Sequence, residues 1–137
     1  MQQRKRSVVA TLQVELVAVE RKIWSGEARM VIARTTEGEI GILPGHAPLL
    51  GELAEGGVVT IRGAEGDDLV VAAHGGFVSV TERGVSILAE TAEISTEIDV
   101  ERARDALSRA EAERDDPGAM AAARRAQSRL RAAGQDV

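Results

Sequence analysis

Residues 85–107 read VSILAETAEISTEIDVERARDAL, and within this stretch the hydrophobic period changes. Val85, Ile87 and Ala89 recur at every second position, which places them on one face of a β-strand. From Ile98 onward, Val100, Ala103, Leu107 and Ala110 recur at the spacing of one face of a helix. Asp99 stands just before them, where its carboxylate can accept from the unpaired N–H groups of a first helical turn. The chain therefore divides at Ile98 into a strand-rich part and a helical part.

Upstream of that division the strand pattern continues. Leu12, Val14, Leu16 and Ala18 alternate with Gln13 and Glu15, and Val78 and Val80 alternate with Ser79 and Thr81. Met30 and Ile32 share one face, with Arg29 and Ala33 on the other. Leu69–Ala73 is a continuous apolar run, as expected of a strand buried on both faces. Turn signals recur at Ser25-Gly26, Glu37-Gly38, Gly56-Gly57, Glu65-Gly66, Gly75-Gly76 and Arg83-Gly84. Many short strands between glycine turns predict a β-sandwich or barrel over residues 12–97.

Downstream, Asp115-Asp116-Pro117 breaks the helical pattern. Asp116 is predicted to cap a second helix, with Pro117 at its first position and Gly134 just past its end. Met120, Ala123, Ala126, Leu130 and Ala133 would form its apolar stripe. The tight connection implies an antiparallel two-helix hairpin over residues 98–137. Its stripes are mostly alanine, and each helix is near the ~12–15 residues below which an isolated helix is marginal in water. The hairpin must lean on the sandwich or on another protein. Residues 98–118 carry seven acidic and four basic groups, whereas 119–137 carry four arginines against Asp136. The helices therefore attract each other, and the second attracts any acidic surface.

Composition narrows the function. The chain has no cysteine, which excludes disulfides, thiolate metal sites and cysteine nucleophiles. One Trp, one Phe and no Tyr argue against a surface for stacking single-stranded bases, and a net charge of −5 disfavours nucleic acid. No apolar run approaches the roughly 20 residues needed to span a bilayer. The start, MQQRKRSVVATLQVELVAV, superficially resembles a secretory signal, but Gln13 and Glu15 interrupt its apolar stretch. A disordered basic arm over 1–11 is the expectation.

No catalytic or metal constellation emerges. His46, in Pro44-Gly45-His46-Ala47-Pro48, and His74, before Gly75-Gly76, lack metal-ligand spacing and are expected to be loop residues. Neither a G-x-S-x-G elbow nor a phosphate-cradling P-loop occurs. A small enzyme using His46 with Glu37 or Glu39 is one alternative, and a β-sandwich adaptor or ATP-sensing module is another. Glu37–Gly51 is the unusual segment: Gly38, Gly41, Pro44, Gly45, Pro48 and Gly51 stiffen and bend it, beside the apolar Ile40, Ile42, Leu43, Leu49 and Leu50. Such a loop is either packed internally or offered to a partner.

That segment, EGEIGILPGHAPLL from Glu37 to Leu50, resembles the signature of ATP synthase epsilon subunits. Further pieces agree in order: Lys22-Ile23-Trp24-Ser25-Gly26, Gly75-Gly76-Phe77-Val78-Ser79-Val80, Ile87-Leu88-Ala89-Glu90, and Ile98-Asp99 followed by Arg102-Ala103. The resemblance covers roughly Val14–Ala133. It implies a flattened β-sandwich of about ten strands followed by a C-terminal antiparallel two-helix hairpin. It also implies a non-catalytic rotor subunit, peripheral at the cytoplasmic face of the bacterial cell membrane and touching the membrane only indirectly. The implied partners are the gamma subunit, the c-ring and, through the hairpin, the alpha and beta subunits of the catalytic head. No cofactor is required. The family couples proton-driven rotation to ATP synthesis, and many members restrain ATP hydrolysis with the hairpin.

Residue by residue, the resemblance puts Glu39, Pro44, His46 and Pro48 in the rotor-docking segment. Some members bind regulatory ATP between the helices. The matching positions here are Glu93, Ile98, Asp99, Arg102, Ala103, Arg125 and Arg129, while a further basic position of that site falls on Gly118. Asp99 as an N-cap with Ile98 packing on Ala103 accounts for the same motif as helix capping.

Overall fold

A computed structural model describes residues 10–135. Only Ala10 and Thr11 of the basic arm are among them, so the expectation for the arm lies outside the described residues. Seven strands come first: β1 (Leu12–Ala18), β2 (Arg21–Thr35), β3 (Gly38–Ile42), β4 (Leu49–Glu52), β5 (Gly57–Gly63), β6 (Asp68–Thr81) and β7 (Gly84–Ile94). A 3-10 turn (Ser95–Glu97) then leads into α1 (Val100–Ala112) and α2 (Ala119–Ala132).

The long strands β2, β6 and β7 each serve two layers. In one layer the early part of β2 pairs with β1, β1 runs parallel to the start of β7, and β7 pairs with the end of β6, which holds β4. In the other, the end of β7 pairs with the start of β6, followed by β5, the later part of β2, and β3. The resemblance implies about ten strands and the continuous strands number seven. Counting each of the three long strands as its two segments reconciles the figures.

The predicted alternation builds the core. Leu12, Val14, Leu16 and Ala18 all point inward from β1. They meet Val31 and Ala33 of β2, Ile61 of β5, Val78 and Val80 of β6, and Ile87 of β7. Each fully buried large aliphatic side chain contributes about 1.5–3 kcal/mol. With no buried phenylalanine or tyrosine, the core is held by many medium-sized side chains.

Two predicted turns are strand instead. Ser25-Gly26 lies inside β2, where Gly26 leaves room for the Trp24 indole. Gly75-Gly76 lies inside β6, at the place where the strand passes from one layer to the other. A Cβ on Gly76 would overlap the Leu88 carbonyl of the neighbouring strand.

The hairpin also differs in detail. Asp99 caps α1 as predicted, its Oδ1 accepting from the Arg102 N–H at 3.1 Å. Asp116 does not cap α2. Its carboxylate accepts from Gly118 N at 2.9 Å and its carbonyl from Ala119 N at 2.9 Å, so it closes the connecting turn and α2 begins at Ala119. At the far end Gln135 N donates to Leu130 O at 2.8 Å and Gly134 N to Arg131 O at 3.0 Å, a Schellman closure. Met120 projects into solvent rather than joining the stripe. The buried side runs through Ala119, Ala126, Ser128, Leu130 and Ala132, because α2 packs between α1 and strands β5 and β6.

Candidate functional site

The junction between α2 and the sandwich is built on the outward side of β6. Val71 and Ala73 point into the sandwich core, so Ala72 and His74 face the other way, and both are buried there. Small residues let the helix come close. A Cβ on Gly56 would sit 2.8 Å from both the Cβ and the carbonyl oxygen of Arg124. Polar ties then fix the contact. The buried Ser128 Oγ donates to Gly57 O at 2.6 Å, Arg125 meets Glu55 at 2.7 Å, Arg129 pairs with Glu93, and Arg131 donates to Gly56 O at 3.3 Å. Half-exposed pairs of this kind contribute little each, whereas the buried serine contributes about 1 kcal/mol.

His74 corrects the sequence reading. It lies within β6 opposite Thr91 rather than in a loop, is 3% exposed, and neither ring nitrogen has a hydrogen-bond partner. Burial above all, then the Arg129 guanidinium, pushes its pKa down to about 4, so it is neutral at pH 7. The apolar run Leu69–Ala73 carried the signal: His74 is its next residue, and a strand buried on both faces extends through it.

The residues matched to a nucleotide site largely converge. Glu93, Asp99, Arg102, Ala103 and Arg129 line one cavity with Glu97, Ala106 and Arg109. Ile98 is half-buried and outside that lining, and Arg125 turns away to Glu55. Arg21 also reaches this end of the molecule, at 2.8 Å from Glu97. The hydrogen bond from Arg21, then one from the Ile94 amide, hold the Glu97 carboxyl below its usual range.

The docking residues do not form one site. The loop between β3 and β4 is anchored by buried Ile42 and leaves Leu43 and His46 exposed, so its apolar surface is presented outward. His46 N donates to Leu43 O at 3.0 Å, and its Nδ1 lies 2.7 Å from Ala47 O. His46 and Pro48 line a cavity of about 650 Å³ with Glu27, Glu82 and Arg83, while half-buried Pro44 stands outside that lining. Glu39 is elsewhere, paired across the sheet with Arg34 in a cleft that also holds Arg124 and Arg131. The geometry thus separates Glu39 from His46.

A further surface escaped the sequence reading. Leu88 stands between Val17 of β1 and Phe77 of β6 in the strand register, with Leu50 diagonal to Phe77 on β4. All lie on the outward side of their layer. Phe77, the sole phenylalanine of the chain, is 51% exposed, and Leu50 is 71% exposed. An alternating pattern shows which residues point out; it does not show that apolar ones among them line up across neighbouring strands.

Comparison with known proteins gives the family. A family model for the β-sandwich domain of the ATP synthase delta/epsilon chain matches residues 11–95. The ATP synthase epsilon chain of Streptomyces griseus is 55% identical over 125 residues, covering 91% of this chain and 97% of that relative. That of Rhodococcus opacus is 59% identical over 99 residues, covering 72% and 81%. Among solved structures, a chain of the Euglena gracilis mitochondrial ATP synthase (OSCP/F1/c-ring, rotational state 1) matches with a TM-score of 0.71 at 27% identity, covering 93% of this chain and 79% of that one. A chain of the Tetrahymena thermophila central stalk and c-ring assembly shares the fold, with a TM-score of 0.52 at 18% identity. Matched by the family model over most of its sandwich and by close relatives along nearly its whole length, the chain belongs to the ATP synthase epsilon chain family.

Proposed function

We propose that this chain is a non-catalytic rotor subunit of a proton-translocating ATP synthase, bound to the gamma subunit and the c-ring at the cytoplasmic face of the bacterial membrane. The observation that carries this reading is the apolar row of half-buried Val17 with exposed Leu88 and Phe77, and exposed Leu50 beside it. Exposed aromatic and aliphatic anchors grouped on a rigid sheet are what a protein partner desolvates most profitably. The stiff loop around His46 is a second contact of the same kind, at the cavity end of the sandwich. No helix is long and apolar enough to cross a membrane among the described residues, so the c-ring would be the link to it. The test is co-purification with the gamma subunit: Phe77→Ser combined with Leu88→Ser abolishes it while the sandwich stays folded. Retained binding by the folded double variant would refute the assignment of this face.

The hairpin is proposed to restrain ATP hydrolysis by leaving the sandwich and reaching the alpha and beta subunits. In support, α2 is held by small residues and a few polar ties, a contact that can be exchanged for another of similar free energy. Regulatory ATP is proposed to bind at the cavity beside α1; in support, Arg102, Arg109 and Arg129 line it, and guanidinium groups suit phosphate, with Arg129 given up by Glu93 on binding. Such a ligand would bias the hairpin toward its folded-down placement.

A further inference from the structure

We propose that His74 is a proton-operated latch on the hairpin: neutral, it is sealed beneath α2, and protonated, it favours the detached hairpin. The geometry sets both states. His74 lies on the outward side of β6 with α2 over it, and neither ring nitrogen has a hydrogen-bond partner. The charged groups facing it are Arg125 and Arg129 from α2, Glu93 from β7, and Glu55 from the turn between β4 and β5. Both carboxylates are already engaged, Glu55 by Arg125 and Glu93 by Arg129. An imidazolium formed in place would face two guanidinium groups, with both neighbouring carboxylates already engaged by arginines. If instead it captured Glu55 or Glu93, it would break a tie that holds α2 down. Either outcome loosens the hairpin.

Once α2 lifts away, this side of β6 meets water and the imidazole regains its ordinary basicity. The docked form holds the pKa near 4, against about 6.5 when exposed. The neutral form thus stabilises docking fully above pH 6.5, and that contribution is lost as pH falls from 6.5 towards 4. Each pH unit within the window shifts the equilibrium about tenfold toward the detached form, so the shift between pH 7.5 and 5.5 is also about tenfold. The inference concerns docking itself and stands apart from whether the hairpin restrains hydrolysis.

The chain has no cysteine, so Glu65→Cys with Met120→Cys gives one fluorophore on the β5–β6 turn and one on α2. Energy transfer in the full-length chain then reports the detached population. The expected result is a rise of about tenfold in the detached-to-docked ratio from pH 7.5 to 5.5. In His74→Leu and His74→Gln, the change should be less than twofold; Gln guards against a defect specific to the apolar variant. An equal rise in a folded variant, or no rise in the parent, would overturn the latch. Imidazole NMR of His74 supplies an independent measurement. His74 titrating near 6.5 while energy transfer still reports a docked hairpin would also overturn it.

Discussion

Gly56 and Gly66 offer a matched pair of perturbations that separates strain in a turn from pressure on a helix. Both adopt a positive φ, +83° and +97°, in turns of the sandwich. Alanine at either pays the left-handed backbone penalty, about 1–2 kcal/mol. Only at Gly56 does the new methyl meet the second element, with the Arg124 Cβ and carbonyl both 2.8 Å away; around Gly66 nothing lies within 4 Å. Forcing one extra carbon into a packed backbone contact adds about 1–3 kcal/mol. That excess falls on the docking of α2, and 2 kcal/mol of it shifts the docked-to-detached ratio roughly thirtyfold. Equilibrium unfolding in urea measures the shared strain, and hydrogen exchange across α2 and β5 measures the docking excess. Gly56→Ala is expected to open α2 to exchange, whereas Gly66→Ala lowers the unfolding midpoint alone. Equal exchange in α2 for the two variants would refute the view that the helix rests on that turn.

Deleting residues from Ile98 onward is expected to leave a cooperatively folding sandwich and to raise ATP hydrolysis by the reconstituted complex; an unchanged ATPase rate would remove the regulatory reading. Calorimetry with MgATP should show binding that is lost in Arg102→Ala, and absence of heat at millimolar ATP with the parent chain would leave Asp99 and Arg102 as helix-capping structure only. Replacing Pro44 and Pro48 together by alanine should weaken binding to the rotor without lowering thermal stability, because Pro44 is at most half-buried and Pro48 is exposed. Ser128→Ala should loosen hairpin docking by about 1 kcal/mol, measured by the same hydrogen exchange.

The two-part architecture was legible because each part obeys one period. β1 shows this most plainly: its inward residues are the four that alternate in the sequence. The cap at Asp99 was legible for a local reason, since an Asp before a helical stripe needs only the next three residues to do its work. What failed was set by distant residues. Ser25-Gly26 and Gly75-Gly76 read as turns, yet both lie inside strands, the first extended and the second bent through positive φ at both glycines. The stripe assigned to α2 included Met120 and omitted Ser128, because one-sided amphipathicity does not describe a helix packed on two sides. Among the site residues, Glu93, Asp99, Arg102, Ala103 and Arg129 gather in one cavity, whereas Arg125 is drawn off by its ion pair with Glu55 and Glu39 stands on β3 opposite Arg34, away from the loop that carries His46.

The passage of β2, β6 and β7 through both layers has a mechanical consequence. Two sheets joined only by side-chain packing can slide over each other under a sideways load. Here β1 bonds to β2 as well as to β7, so the main-chain ladder returns on itself, and the three shared strands act as struts between the layers. Shear applied to one layer is then borne by peptide bonds and hydrogen bonds running along continuous chain. A body braced in this way responds to load as one piece, so a sideways force applied at Leu88 and Phe77 would reach the loop around His46 with little twist lost between them.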